Sequence, residues 1–140
     1  MKRKYDYNSE TGVAHVVLLE SDKEFHGFAS CHEDDEDFKS ERIGMTIAEA
    51  RAEINLLQHI RDNELMPAIK ALRHLYGNMK TSKYFNLHSY EARMIRRQIR
   101  IKENDLIAVK QEIDSRKQFI TDYIKQKDEL HDRLRKAKKN

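Results

Sequence analysis

The chain has 140 residues, 36% of them charged and 39% hydrophobic, with four glycines, one proline, no tryptophan and a single cysteine, Cys31. That composition supports one small domain with a thin core, and the lone cysteine excludes an internal disulfide and suits a reducing cytosol. No apolar run approaches the roughly 20 residues that cross a bilayer, and the basic start Met1-Lys2-Arg3-Lys4-Tyr5 leads into no apolar stretch, which argues against a signal peptide.

The net charge of +3 is spread unevenly. Residues 1–45 carry 6 basic and 11 acidic side chains, residues 46–86 carry 6 and 4, and residues 87–140 carry 15 and 9. An acidic head and a basic tail favour head-to-tail self-association or an anionic partner for the tail. A solvated helix face explains the same numbers without any partner.

Residues 4–31 read as strands. Val13-Ala14-His15-Val16-Val17-Leu18-Leu19 is β-branched and apolar, and the turn-forming Asn8-Ser9-Glu10-Thr11-Gly12 precedes it. Glu20-Ser21-Asp22-Lys23 is a second turn. The run from Glu24 to Cys31 is a further strand, with Gly27 marking a bulge. A lone hairpin is marginal in water, so this one needs a helix or another chain to cover it.

Residues 32–45 read as an acidic loop ending near Gly44. Thr46-Ile47-Ala48-Glu49 then has the form of a capping box, in which hydroxyl and carboxylate each satisfy a backbone donor. The helix that follows carries an apolar stripe of Ile47, Ala50, Ile54, Leu57, Ile60, Leu65, Ile69, Leu72 and Tyr76. Pro67 predicts a kink or short break near residues 63–66, because proline lacks the N–H and crowds the preceding turn. Gly77-Asn78 stops the helix, and residues 78–88 form a basic connector holding Tyr84, Phe85 and Asn86.

A second helix starts near Ser89 and runs to about residue 137. Ile99, Leu106, Ile113, Ile120 and Leu134 fall on a heptad repeat that Lys127 interrupts. Ile95, Val109, Tyr123 and Leu130 fill the companion positions. At 1.5 Å per residue this helix is about 70 Å long against about 45 Å for the first. One chain therefore leaves about a third of the stripe uncovered, which implies a partner. The expected fold is α+β. A small N-terminal antiparallel sheet precedes two long antiparallel helices, which form an oligomeric coiled-coil bundle in a single domain, residues 1–140. Its parts are a β-element and acidic loop (1–45), a first helix (46–77), a connector (78–88) and a long second helix (89–137).

Chemistry-bearing patterns are sparse. Cys31 and His32 are neighbours in an extended segment, which turns their side chains to opposite faces, and no serine sits in a nucleophile elbow. His26, Cys31, His32, Asp34, Asp35 and Asp37 are metal-ligand types, but their spacing matches neither zinc nor calcium patterns. No enzyme activity, metal or cofactor is expected. The densest feature is Arg93, Arg96, Arg97 and Arg100, of which 93, 97 and 100 share a helix face. Guanidinium forks grip phosphate oxygens in pairs, and near a helix N-terminus cations are slightly unfavourable, so an anionic partner is implied. A salt-bridged face, a small anionic ligand and nucleic acid all remain open. Against nucleic acid, acids from Glu103 to Asp132 dilute the second helix.

The run Gly27-Phe28-Ala29-Ser30-Cys31-His32, Asp35, Asp37-Phe38, Ser40-Glu41, Ile43-Gly44, Ile47-Ala48 and Arg51-Ala52 resembles small proteins of phages of Gram-positive bacteria. Among them is the first family of Thoeris anti-defence proteins, sponges that sequester cyclic ADP-ribose isomers made by a bacterial TIR enzyme. As sequence the resemblance covers about residues 12–55, and beyond that only the architecture is similar. It implies a non-enzymatic protein in the cytoplasm of the host bacterium. It further implies a homo-oligomer, dimer-based and extending to a hexamer, that holds a nucleotide-type ligand at subunit interfaces. Arg51 comes from the matched motif. Phe85 (or Tyr84), Asn86, Arg93, Arg97 and Arg100 are placed by chemistry, an aromatic for the base and arginines for the pyrophosphate. Two alternatives stand beside this one: a helical phage protein that binds and inhibits a host protein, and a nucleic-acid-associated factor.

Overall fold

The computed structural model describes residues 1–30 and 41–139. Cys31 and the acidic run that follows it to Ser40 lie outside them, and with them the loop predicted there. The described chain is α+β. Three antiparallel strands, β1 (Lys2–Asn8), β2 (Val13–Glu20) and β3 (Lys23–Ser30), form a sheet in the order β1-β2-β3. Two helical arms follow. The first is α1 (Glu41–His59), a π-helical turn (Ile60–Leu65) and α2 (Met66–Lys80), and the second is α3 (Tyr90–Lys139). The chain divides into two compact units, one of residues 1–56 and 113–140, the other of residues 57–112.

In the first unit the turns are set by local chemistry. Ser21 (φ 49°) and Asp22 (φ 65°) both sit in the left-handed region between the paired Glu20 and Lys23. That is the two-residue turn whose twist matches the flanking strands. Between β1 and β2, Asn8 Oδ1 accepts from the Glu10 and Thr11 N–H groups at 2.9 and 3.2 Å. Gly12 (φ 73°) donates to the Asn8 carbonyl at 2.7 Å, a conformation that favours glycine.

Alternation then sorts the two faces of the sheet. Ala14, Val16 and Leu18 of β2 and Ala29 of β3 are buried, and Gly27 shares their face. Two cross-strand rows lie on the outer face, Asp6–His15–Phe28 and Lys4–Val17–His26. The bulge expected at Gly27 is absent, since β2 and β3 pair without interruption from Val13↔Ser30 to Glu20↔Lys23. Gly27 is there for a different reason. A Cβ on it would fall inside contact distance of the Ala48 carbonyl oxygen and the Ala52 nitrogen. A Cβ on Gly44 would lie 3.1 Å from that of Ala14. Gly44, Ala48 and Ala52 repeat every fourth residue, so small side chains line one stripe of α1 and let it lie directly on the sheet. The same helix closes the β3 edge: Asn55 Nδ2 donates to the His26 carbonyl at 2.6 Å and Arg51 Nη1 to the Phe28 carbonyl at 2.7 Å. Edge carbonyls engaged by side chains are not open to another strand.

The core of this unit joins Ile47, Ala50 and Ile54 of α1 with Ile113 and Ile120 of α3, all buried. Fully burying a side chain such as Leu18 or Ile113 stabilises by about 1.5–3 kcal/mol. Glu53 accepts from Arg116 across the two helices and lies 3.4 Å from Arg3 Nη1, while Arg3 also pairs with Glu49 at 3.2 Å.

Helix α1 includes Glu41, five residues before the predicted start at Thr46. Thr46 is interior, and its hydroxyl donates to the Arg42 carbonyl at 2.8 Å instead of capping. Of the kink or short break expected before Pro67, the break is absent. The helix stays continuous by widening: Met66 N–H bonds to the Arg61 carbonyl, five residues back. A π-turn displaces the carbonyls that a proline would otherwise strike or leave unpaired. The first arm thus spans 40 residues against 50 for α3, and the excess in α3 is ten residues.

In the second unit α2 and the first part of α3 run antiparallel, because Tyr76 meets Arg96 and Arg73 meets Glu103. Leu65, Ile69 and Ala92 are its buried residues. Ile95, Ile99, Leu106 and Val109 are half-buried, as the heptad pattern expected. In the first unit that pattern drifts off the packed face: Leu130 and Leu134 are exposed and His131 is buried instead. A straight helix turns about 20° per heptad away from a strict seven-residue repeat.

Candidate functional site

A surface suited to an anion lies in the second unit. The connector begins where Thr81 N–H bonds the Asn78 carbonyl (3.2 Å), and it turns again at Asn86, whose Oδ1 accepts from His88 N–H at 2.9 Å. Asn86 therefore shapes the turn with its oxygen and keeps its amide donors toward solvent. Phe85 is half-buried and meets Tyr76 edge-on, ring centroids 6.0 Å apart. Tyr76 is held in turn by Arg96, which donates to its hydroxyl at 3.1 Å, and by Lys80, 4.9 Å from the ring centroid. Phe85 is thus committed to the packing of the hairpin end. Its neighbour Tyr84 is 82% exposed, with Lys83 Nζ 5.1 Å from its ring. Met79, Ser82, Tyr84, Phe85, Asn86, Ser89 and Glu91 line a shallow cleft of about 290 Å³.

Helix α3 begins at the cleft, whose lining includes Ser89 just before it and Glu91 in its first turn. Ser89 caps it, accepting from Ala92 N–H through its hydroxyl (3.2 Å) and from Arg93 N–H through its carbonyl (3.0 Å). Arg93, Arg97 and Arg100 then project from one exposed face. Arg96 differs from them, being half-buried against Tyr76. Among the described residues none of the three exposed guanidiniums has an ion-pair partner, whereas Arg73 and Arg116 pair with Glu103 and Glu53. Three unneutralised cations in the first turns of a helix, beside its positive dipole end, create a field that favours an anion.

Arg51, the remaining predicted residue, lies in the first unit, exposed and bonded to the Phe28 carbonyl. The Ile47-Ala48-x-x-Arg51-Ala52 motif has a packing role at each named position. Ile47 is core, Ala48 and Ala52 meet Gly27, and Arg51 ties the helix to the sheet edge. Of the six candidates, five fall in the second unit and Arg51 in the first.

A second constellation escaped the sequence reading. On the outer sheet face, His15 Nε2 lies 2.8 Å from His26 Nδ1, and His26 Nε2 lies 3.1 Å from Glu24 Oε2. Phe28 stacks on His15 at 4.2 Å between centroids and an interplanar angle of 4°. The alternation Glu24, His26, Phe28 put three of these residues on one face, but bringing in His15 needed the register between strands.

Among the described residues three ionisable groups are displaced: the Tyr5 phenol and the Arg61 guanidinium upward and the Asp62 carboxyl downward. The Tyr5 phenol is held above its ordinary value, chiefly by its hydrogen bond to the Glu49 carboxylate. The Arg61 guanidinium, bonded through two nitrogens to Asp62 at 2.7 and 3.1 Å, holds that carboxyl below the usual range. Among the described residues no group of three or more His, Cys, Asp or Glu side chains is placed to hold a metal ion, and no helix is long and apolar enough to cross a membrane. The Cys31–Asp37 ligand types fall outside the described residues. No protein-family model matches this chain, and neither the curated proteins nor the solved structures provide a match.

Proposed function

We propose that the protein is a non-catalytic binder of a nucleotide-type anion, acting as an oligomeric trap. The resemblance names the particular ligand, a cyclic ADP-ribose isomer, and the setting, phage counter-defence against Thoeris. The observation that carries the binding reading is the row Arg93, Arg97 and Arg100, exposed and without ion-pair partners among the described residues. Bidentate guanidiniums suit a pyrophosphate. The exposed Tyr84 supplies a ring for a base at the same end of the unit, in place of the committed Phe85.

Self-association is supported by the side of α3 that its own unit leaves open. Phe119, Leu130 and Leu134 lie within one stripe of the helix and remain exposed beside the buried Ile113 and Ile120. A second copy would cover them, and pockets between pre-formed subunits bind with little ordering cost. The same stripe favours one other reading, a host protein docked there and inhibited.

Native mass spectrometry of the purified protein, with and without cyclic ADP-ribose isomers, tests both parts of the proposal. The expected result is an oligomer that retains ligand and releases it unchanged on heating. Replacing Arg93, Arg97 and Arg100 with Ala should weaken binding roughly a hundred-fold or more, since each charge-assisted bond contributes about 1.5–3 kcal/mol. A monodisperse monomer that binds no isomer overturns the reading, and stable co-purification with a host protein replaces it with the second.

A further inference from the structure

We infer that β1 is a self-pairing edge: it joins β1 of a second copy, antiparallel and in the register centred on Tyr5, so that the strands of two chains form one sheet. The two edges of the sheet differ. At β3, Asn55 and Arg51 engage the His26 and Phe28 carbonyls. At β1 there is no such cover. Among the described residues no hydrogen bond from outside the sheet reaches the main chain of residues 2–7. The strand is seven residues long and exposed throughout, apart from the half-buried Tyr7. Seven cross-strand pairs, bonded alternately, would add about six to eight main-chain hydrogen bonds. An edge of this kind is a template for another strand.

The side chains decide which strand fits. Edge lysines ordinarily keep other strands away, and β1 carries Lys2 and Lys4 on its outer face, in register with Leu19 and Val17. Asp6, on the same face opposite His15, changes the outcome. In an antiparallel pair centred on Tyr5, Lys4 lies opposite the partner's Asp6, and Asp6 lies opposite the partner's Lys4. On the other face Tyr5 meets the partner's Tyr5, and Arg3 meets the partner's Tyr7, cation against ring. Lys2 falls opposite the partner's Asn8. Opposite charges directly across a strand pair stabilise it and like charges oppose it. Centring the pair on Lys4 or on Asp6 would set two like charges face to face, so charge selects the Tyr5 register. The strand is thus its own complement, as a two-fold interface requires.

Two features of the chain support the junction. Arg3 is already held by Glu49 at 3.2 Å and by Glu53 at 3.4 Å, which fixes its place on the inner face. Tyr5 is 53% exposed, and the two Tyr5 rings would cover each other. Because the β3 edge is engaged by α1, pairing closes at two copies and does not propagate into a fibre.

This surface lies apart from the apolar stripe of α3 and does not rest on it. The test is sedimentation equilibrium of the full-length chain carrying Leu130→Lys and Leu134→Lys, which removes the contribution of the stripe. The expected species is a dimer. In that chain Asp6→Lys leaves lysines facing lysines and should weaken the dimer about ten-fold or more. Lys4→Asp leaves acids facing acids and should do the same. An equal mixture of these two variants should recover a heterodimer, and a single chain with both exchanges should recover the homodimer. Recovery separates lost pairing from lost folding. The register is read by cross-linking in a Cys31→Ser background. Tyr5→Cys should form an intermolecular disulfide, since directly opposed Cα atoms stand about 4.5–5.5 Å apart, and Lys2→Cys should not. A chain that stays monomeric at about 100 μM overturns the inference. So do an undisturbed dimer in Asp6→Lys, a mixture no tighter than its components, and equal cross-linking through Lys2→Cys. A host protein bound along β1 in place of the second copy would overturn it too, and make the edge a docking site for that protein.

Discussion

The two units use apolar residues in opposite ways. The first closes a helix onto a sheet through contacts so tight that glycine and alanine are required, and it buries Leu18, Val16 and Ile113 completely or nearly so. The second is an antiparallel helix pair with little beneath its surface, held by Tyr76 and its cations, by the Arg73–Glu103 pair and by half-buried stripes. Shape carries the first unit, and the second leaves its side chains outside, where a ligand can meet them. Stability and anion binding by the arginine row are thus expected to separate by unit.

The sharpest way to break this contrast is Gly27→Val. Its side chain has nowhere to go but into the α1 backbone, so the helix must lift off the sheet. A loss of about 3 kcal/mol or more is expected, at or beyond the upper end for overpacking, read as a collapse of the urea midpoint. Next come paired truncations. Ile113→Ala in the first unit should cost about 3–4 kcal/mol and Ile69→Ala in the second about 2 kcal/mol, because the thinner unit leaves a shallower cavity. Equal losses in denaturation would show that the two units pack alike.

Pro67→Ala has a smaller and local effect. Alanine restores the N–H and removes the ring, so the wide turn can tighten to an α-helix. Amide exchange across residues 60–65 should slow about ten-fold, with the first unit unaffected. The smallest expected effect is on Tyr5. Its raised value means the neutral phenol is favoured on folding. The contribution is therefore full below the unfolded value near pH 10 and disappears as pH rises through the folded one. The difference in urea midpoint between the wild type and Tyr5→Phe should accordingly shrink above about pH 10, while a constant difference would place the hydrogen bond elsewhere.

Much of the first arm was legible as periodicity. Of its nine predicted stripe positions, Ile47, Ala50, Ile54, Leu65 and Ile69 are buried and the other four half-buried. The π-turn was written there too, in the five-residue step from Ile60 to Leu65 placed just ahead of Pro67. A proline alone suggests a break, and only the two signals together indicate a widened helix. Gly27 was misread because a bulge and a close helix approach both call for glycine, and only tertiary packing separates them. The early start of α1 was hidden by Thr46, whose hydroxyl serves equally as a cap or as a bond back to the preceding turn. Arg96 could not be told from Arg93, Arg97 and Arg100, since its difference lies in Tyr76, twenty residues away.

Because the first unit draws on residues 1–56 and again on residues from 113 onward, its order of assembly differs from its order of synthesis. The sheet and α1 leave the ribosome some 60 residues ahead of the segment that completes their core. At roughly 5–20 residues per second that is a wait of about 3–12 s. During it, the faces destined for Ile113 and Ile120 are bare. A slowed ribosome would lengthen this exposure, and a nascent chain halted before residue 113 would be a substrate for chaperones or a seed for aggregation rather than a smaller folded protein.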